Sequence, residues 1–244
     1  MSQKSNSVLL LLALVPAPSL GVLCGMVWFP DTAFGKLFFG ATKIWMFALP
    51  LVWWWRNRSV ERGLPRGNLK HGITVSVLAG VAVFAVIVAA YALLGGHFID
   101  RELFADKIRS AGFGDKRVYL VLALYWVCVN SLLEEIVWRR FVTERFARLC
   151  GGGVPPFSQS YNIHFAATMP IILSALCFTL HHTLAMGVFF PVLTNLLASA
   201  GVFAGGVLFS WFYMRWKSIW PPYVAHVFAD VAVFGIGWRI MFYE

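Results

Sequence analysis

The stretch Val118–Arg139, VYLVLALYWVCVNSLLEEIVWR, is an apolar run that ends in two adjacent glutamates and an arginine. A transmembrane helix needs about 20 predominantly apolar residues, so this run predicts a membrane span. Glu134 and Glu135 then stand at membrane depth, where ionisable side chains are costly and usually serve a function. The stretch therefore predicts a helical membrane protein with a buried polar site.

The composition of the whole chain supports this interpretation. Of its 244 residues, 59% are hydrophobic and 13% are charged, whereas an average soluble domain carries about 25% charged residues. The mean hydropathy is +0.73. We therefore expect an all-α, polytopic transmembrane helix bundle of about seven to eight helices, with the active site inside the bundle. The length leaves room for one integral membrane domain and no sizeable soluble domain.

Seven apolar runs are candidate spans, and several of them are bounded by charged or proline-rich segments. They are Val8–Phe29, Leu37–Trp55, Gly72–Leu94, Val118–Trp138, Phe165–His182, Val188–Met214 and Ile219–Met241. An eighth membrane element follows if the sixth run breaks near Ala200-Gly201. The segment Ile99–Gly112 has a weak amphipathic pattern, typical of a surface helix. The first run is longer than the apolar core of a secretory signal, so we expect an uncleaved helix.

Basic residues predict the orientation of the chain. Five of them follow the aromatic run Trp53-Trp54-Trp55: Arg56, Arg58, Arg62, Arg66 and Lys70. Because basic loops stay in the cytoplasm, we expect the N-terminus and the basic segment Arg139–Arg148 on the cytoplasmic side. The same rule explains the net charge of +9, and we expect no nucleic-acid partner. The compact size and short loops suggest a multi-pass protein of a prokaryotic inner (plasma) membrane.

Pairs of ionisable residues recur at a spacing of four within the apolar runs. Glu135 and Arg139 can pair on one helical face, while Glu134 points about 100° away and is free to face a cavity. His226 and Asp230 likewise share a face. Each pair also has a purely structural explanation, such as charge neutralisation or a hydrogen bond within a helix.

A third pair joins an aromatic ring to an imidazole. Phe178 lies four residues before His182, one helical turn away. His181 stands beside His182, and we expect only one of the two to face the site. The depth of the two residues in the membrane is a difficulty. Glu134 lies near the cytoplasmic end of its run, whereas His182 lies near the opposite end of the next run. The two can meet if the helix of Glu134 continues to about Arg148, or if the next begins earlier.

Taken in order, the patterns Glu-Glu-x-x-x-Arg, Phe-x-x-x-His and His-x-x-x-Asp resemble the three motifs of the CPBP family. That family comprises intramembrane CAAX-type endoproteases of the glutamic type together with bacteriocin-processing, Abi-like self-immunity relatives. The run from Met214 to His226 also resembles the family's approach to its third motif. The resemblance covers Val118–Ile236, so we divide the chain into variable N-terminal helices (1–117) and a CPBP-like catalytic core (118–244).

The resemblance implies a hydrolase that cleaves a peptide bond of a membrane-anchored protein or peptide, including a lipidated one or one with a C-terminal anchor. It implies that Glu134 activates water with His182 as its partner. It further implies that His226 and Asp230 stabilise the oxyanion. Three more residues match supporting positions of the motifs: Glu135, Arg139 and Phe178.

The chain departs from the family pattern at three positions. Trp138 stands where phenylalanine is common, and Arg140 where glycine is common. Asp230 replaces the asparagine of the CAAX-protease branch. An ionised carboxylate only accepts hydrogen bonds, so we expect Asp230 to orient His226, which then donates to the oxyanion.

Other interpretations of the same residues stay open. Glu134, His182 and His226 provide the three ligands of a catalytic zinc with one open position, although we expect a metal-free reaction without a cofactor. A non-proteolytic membrane scaffold, such as a bacteriocin immunity protein, needs no acid–base array. A transporter uses intramembrane carboxylates as proton relays, but its usual internal repeat is not evident.

Overall fold

The computed structural model describes residues 3–57, 67–150 and 165–243, and no strand occurs among them. In chain order the helices are α1 (Ser5–Trp28), α2 (Ala33–Arg56), α3 (Leu69–Phe98), α4 (Arg101–Ile108), α5 (Lys116–Leu149), α6 (Phe165–Phe189), α7 (Val192–Trp216) and α8 (Trp220–Phe242). All but α4 are long and apolar enough to cross a membrane. The predicted all-α, polytopic fold is confirmed, and the protein is an integral, multi-pass membrane protein.

Two helices that carry motif residues, α5 and α6, are longer than the sequence predicted, and this extra length brings Glu134 and His182 to the same depth. Helix α5 does not end at Trp138 but continues to Leu149, which gives it 34 residues. Helix α6 continues past His182 to Phe189, so this histidine lies inside the helix and not at its end. The alternative in which the helix of Glu134 continues further is therefore the one the structure adopts.

The alternative in which the sixth run breaks near Ala200-Gly201 is not the one the structure adopts. Helix α7 is continuous from Val192 to Trp216 and passes through Ala200-Gly201 without interruption. The chain instead turns between α6 and α7 at Phe190-Pro191, because proline has no amide hydrogen to continue the preceding helix. The expected amphipathic segment is present as the short helix α4.

Wide, π-helical turns interrupt α5 on both sides of its glutamates. One spans Tyr125–Asn130 and the other Ile136–Thr143, and they flank the short α-helical segment Ser131–Glu135. Oγ of Ser131 lies 2.8 Å from the carbonyl oxygen of Trp126, five residues earlier. Such turns change the rotational phase of a helix and are frequent at functional sites.

Close helix contacts hold the bundle around the site. Gly80 of α3 lies under Phe228 of α8, where a Cβ atom would come within 2.5 Å of the aromatic ring. Gly206 of α7 packs against Ala175 of α6, where a Cβ atom would lie 3.1 Å from the alanine Cβ. Gly201, one and a half turns away, faces open space. Gly206 and Ala175 thus allow α7 and α6 to pack closely at this position.

An apolar core lies between α1, α2, α5 and α6, next to the polar residues. Its fully buried members are Leu14, Met46, Trp138, Phe141 and Val142. Phe178 belongs to the same cluster and also touches the histidines of the site. The core therefore fixes the Phe178 ring, which lies beside the polar residues of the site.

Candidate active site

Glu134, His182 and His226 come together from three helices: α5, α6 and α8. Oε2 of Glu134 lies 3.9 Å from Nε2 of His182 and 3.9 Å from Nε2 of His226. These separations are longer than a direct hydrogen bond, and they leave the atoms within reach of one shared water. Glu134 is only 3% exposed, so its carboxylate lies in a small, largely enclosed space.

Asn130 fixes the other oxygen of Glu134. Its Nδ2 donates a hydrogen bond to Oε1 of Glu134 at 2.9 Å, one helical turn along α5. Asn130 is itself buried, so the bond is shielded from competing water. One carboxylate oxygen is therefore held in place, while the other faces the two imidazoles.

The ring of His182 is oriented by its own helix. Its Nδ1 lies 2.8 Å from the carbonyl oxygen of Phe178. A carbonyl oxygen only accepts, so Nδ1 carries the hydrogen and Nε2 keeps a free lone pair. The ring centroids of Phe178 and His182 are 4.4 Å apart. The side chain of His182 is 28% exposed, which makes it the more open wall of the site.

The ring of His226 is held between a carboxylate and an aromatic face. Its Nδ1 lies 2.9 Å from Oε1 of Glu135 and donates to it. The ring also stacks on Phe209 of α7, with centroids 5.0 Å apart and an interplanar angle of 23°. Nε2 is thereby directed towards Glu134.

Arg139 completes a buried chain of charged groups behind His226. Its Nε donates to Oε2 of Glu135 at 3.1 Å, and its Nη1 donates to Oγ of Ser210 at 3.2 Å. The guanidinium lies 4.5 Å from the centre of the Phe178 ring. Arg139 and Glu135 are both fully buried, so each depends on the other for compensation of its charge.

Asp230 faces the opposite nitrogen of His226. Its Oδ2 lies 3.6 Å from Nε2 of His226 and accepts a hydrogen bond from Oγ of Ser131 at 2.5 Å. The sequence predicted that Asp230 would orient this ring. In the structure Glu135 occupies Nδ1, so the orienting contact comes from Glu135, and Asp230 lies beside the atom that is free to donate.

The structure thus brings together every site residue that the sequence proposed, and their catalytic roles stay predictions. It also adds residues that the sequence reasoning missed. The polar pair Asn130-Ser131, directly before the glutamates in an apolar run, was a detectable signal. No sequence signal indicated Ser210 or Phe209, because they lie in an ordinary apolar helix with no recognisable spacing to the motifs.

Both of the adjacent histidines lie close to Glu134, although the sequence led us to expect only one of them to face the site. The rings of His181 and His182 have centroids 4.1 Å apart. Within the described ranges, one set of three side chains has metal-binding atoms that all lie within 4.8 Å of one another: Glu134, His181 and His182. The set contains His181 where the sequence had proposed His226.

Comparison with known proteins gives one match. Residues 116–232 match the family model described as type II CAAX prenyl endopeptidase Rce1-like. No curated protein and no solved structure matches the chain significantly. The matched segment begins at the start of α5, ends within α8, and contains all three motifs in order. As the motifs predicted, residues 116–232 are similar to the Rce1-like type II CAAX prenyl endopeptidases, a family of proteases.

Proposed function

We propose that this protein is an intramembrane endopeptidase in which Glu134 activates a water molecule for attack on a peptide bond. The observation that supports this proposal most directly is the position of Oε2 of Glu134, 3.9 Å from Nε2 of His182 and of His226. The opposite oxygen is held by Asn130, so Oε2 is the carboxylate oxygen that faces the two imidazoles.

In the first step, a water molecule binds between Oε2 of Glu134 and Nε2 of His182. Both atoms carry a free lone pair, since Nδ1 of His182 holds that ring's hydrogen against the Phe178 carbonyl. Glu134 removes one proton as the water oxygen attacks the carbonyl carbon of the scissile bond. A tetrahedral intermediate with an oxyanion results.

In the second step, His226 stabilises that oxyanion through the hydrogen on Nε2. Carboxylates face both nitrogens of this ring, Glu135 on Nδ1 and Asp230 beside Nε2, which favours a hydrogen on each. A donor fixed in a largely enclosed site typically contributes about 3–4 kcal/mol to transition-state stabilisation. The intermediate then collapses, the carbon–nitrogen bond breaks, and Glu134 returns its proton to the departing amine.

We propose a metal-free reaction because His226 does not fit a catalytic zinc site formed with Glu134 and His182. Nδ1 of His226 already donates to Glu135, and Nε2 is flanked by the carboxylates of Glu134 and Asp230. A ring with hydrogen on both nitrogens has no lone pair for a metal ion. A catalytic zinc bound by Glu134, His182 and His226 is therefore not the mechanism that we propose.

For the substrate, we propose a protein or peptide with a lipidated or C-terminal hydrophobic anchor. The seven apolar helices support a position of the site within a bilayer, where an anchored chain is already concentrated. We further propose a prokaryotic inner membrane with the N-terminus in the cytoplasm, since the basic loops predict that orientation.

The experiment is cleavage of matched peptides by the purified protein in liposomes, with products identified by mass spectrometry. The panel contains a farnesylated peptide with an aliphatic C-terminal tripeptide, its unlipidated twin, and a peptide with a C-terminal apolar helix. We expect cleavage of an anchored peptide and little or none of the unlipidated twin. Equal cleavage of both twins would contradict the proposed substrate class, and binding without cleavage of any peptide would favour a scaffold.

A further inference from the structure

A second polar cavity lies where the beginning of α1 meets the ends of α2 and α5. Its volume is about 70 Å³, and the polar side chains that line it are Asn6, Ser7, Trp53, Asn57, Arg145 and Arg148. We propose that this cavity binds the phosphate group of an anionic lipid. Arg145 lies 11 positions after Glu134, roughly 16 Å further along α5, so the proposal does not depend on the proposed reaction.

The first argument is the charge of this cavity. Arg145 and Arg148 both line it, and no carboxylate occurs among the described residues of its wall. Glu144, which precedes Arg145 in the sequence, accepts a hydrogen bond from Tyr213 of α7. Arg145 is 1% exposed, and positive charge held out of water favours an anion beside it. The cavity therefore favours a negatively charged group.

The second argument is the way in which Trp53 holds both cations. Cζ of Arg145 lies 3.7 Å from the centre of the Trp53 ring, and Cζ of Arg148 lies 5.9 Å from it. Stacking uses the flat face of a guanidinium, whose five N–H donors lie in its plane. An arginine can therefore bind an anion in addition to a protein partner. Nε1 of Trp53 is a further buried donor, without a hydrogen-bond partner among the described residues.

The size of the cavity and the shape of its donors select the class of anion. A single buried water needs roughly 10–15 Å³, so about 70 Å³ admits a group of several heavy atoms. Guanidinium groups bind phosphate oxygens in pairs, which suits a phosphodiester with one negative charge. The ammonium of a zwitterionic headgroup would lie beside the same two cations and be repelled. We therefore expect selection of anionic lipids over phosphatidylcholine.

The position of the cavity favours a lipid over a free phosphate ion. Trp53 begins a run of three tryptophans, which is typical of the membrane interface where headgroups lie. Asn6 is exposed at the rim, and Leu9, one turn further along the same face of α1, is 52% exposed. An acyl chain attached to the bound phosphate can therefore run along α1 into the bilayer. Basic pockets between membrane helices on the cytoplasmic side bind such headgroups, and we propose that this end faces the cytoplasm.

The test is native mass spectrometry of the full-length protein in detergent, titrated with phosphatidylglycerol and with phosphatidylcholine of the same acyl chains. We expect wild type to bind one phosphatidylglycerol at least about tenfold more tightly than phosphatidylcholine. Arg148→Gln should weaken phosphatidylglycerol binding about fivefold or more, and Arg148→Lys, which keeps the charge but not the paired donors, should lie between. Arg56→Gln is the control, because Arg56 is exposed at the same end of the bundle and does not line the cavity. It should bind within about twofold of wild type.

Inorganic phosphate separates the two sources of the anion. At the same concentration as the lipid, we expect it to leave bound phosphatidylglycerol in place. Displacement at that concentration would overturn the lipid as the ligand. Equal affinity of wild type for the two lipids would overturn the anion site itself. A loss in Arg56→Gln as large as that in Arg148→Gln would also overturn it, because general attraction to surface charge would then explain the binding.

A second measurement uses wild type alone and so avoids any dependence on how well a variant folds. A ligand that binds only the folded chain raises its unfolding temperature. At about 100 times its Kd, phosphatidylglycerol should raise the Tm of the protein in detergent by about 5 °C. Phosphatidylcholine and soluble glycerol phosphate at the same concentration should leave the Tm nearly unchanged. No shift with phosphatidylglycerol, or an equal shift with phosphatidylcholine, would overturn the proposal.

Discussion

Nδ1 of His226 lies 2.9 Å from Oε1 of Glu135, and this contact joins two helices across 91 positions of sequence. Oε2 of the same glutamate accepts from Arg139. The second glutamate of the motif therefore supports His226, while the first faces Nε2 of His182 and of His226. Adjacent positions on a helix point about 100° apart, which is why one motif serves both purposes.

The buried pair Glu135–Arg139 should be essential to stability. Removing one partner leaves an uncompensated charge, so we expect Arg139→Met to reduce the free energy of unfolding by about 3–5 kcal/mol. The double variant Glu135→Gln/Arg139→Met removes both charges and should recover part of that loss. Denaturant unfolding in detergent measures both, and a loss below about 1 kcal/mol in the single variant would show that the pair is dispensable.

Asn130 should control the orientation of Glu134. Asn130→Ala removes the hydrogen bond to Oε1, so we expect kcat to fall about tenfold, equivalent to about 1.4 kcal/mol, with little change in KM. Asn130→Asp should be worse, because it places a second carboxylate beside Glu134. Val129→Ala, at a lipid-facing neighbour, is the control. Equal activity of all three variants would contradict this positioning role.

Asp230 offers a test of how the oxyanion is stabilised. An asparagine at this position can still accept from Ser131 and also gains a hydrogen-bond donor beside Nε2 of His226. We therefore expect Asp230→Asn to keep activity within about tenfold of wild type, whereas Asp230→Leu loses about 100- to 1000-fold in kcat. Steady-state kinetics on an anchored peptide decide this. If asparagine were as damaging as leucine, the negative charge itself would be required.

Gly206 and Gly201 form a matched pair on α7. A Cβ at Gly206 meets Ala175 at 3.1 Å and Phe178 at 3.3 Å, so we expect Gly206→Ala to cost about 1–3 kcal/mol through overpacking. Gly201 faces open space, and Gly201→Ala should be neutral or more stable by up to about 1 kcal/mol. The order of the two unfolding free energies tests the packing of α6 on α7, and a reversed order would refute it.

Lys217, at the end of α7, should give the stability a recognisable pH dependence. Burial lowers the pKa of this ammonium from 10.5 to about 8, and Glu144 partly opposes the shift. Between these values the unfolded chain binds more protons than the folded one, so stability rises with pH across that window. The difference between wild type and Lys217→Met should follow this rise, and a flat difference would contradict it.

Much of the fold and of the site was predictable from the sequence because both rest on simple spacing. Apolar runs define the membrane helices, and intervals of four place Glu135 with Arg139 and His226 with Asp230 on common faces. Helix ends were less predictable. The continuation of α5 to Leu149 includes Arg139, Glu144 and Arg145, which are buried inside the bundle. Because charged residues lower the hydropathy of a sequence, such residues were taken as the end of the span.

The remaining features depend on contacts between helices that are distant in sequence. Nothing in the local pattern pairs Ser210 with Arg139, or decides whether Glu135 or Asp230 binds Nδ1 of His226. The π-helical turns of α5 change the direction in which its side chains point, and no sequence motif predicts these turns. His181 was discounted because neighbouring helical residues usually diverge, yet its ring turns back towards His182.

The central claim is that Glu134 is the base that activates water. The most direct test is single-turnover cleavage of an anchored peptide in liposomes by wild type, Glu134→Gln and the exposed control Glu102→Gln, each with and without a metal chelator. The account predicts activity in wild type and Glu102→Gln that survives chelation, and a loss of at least about 1000-fold in Glu134→Gln. Cleavage by Glu134→Gln at a rate near that of wild type would contradict it.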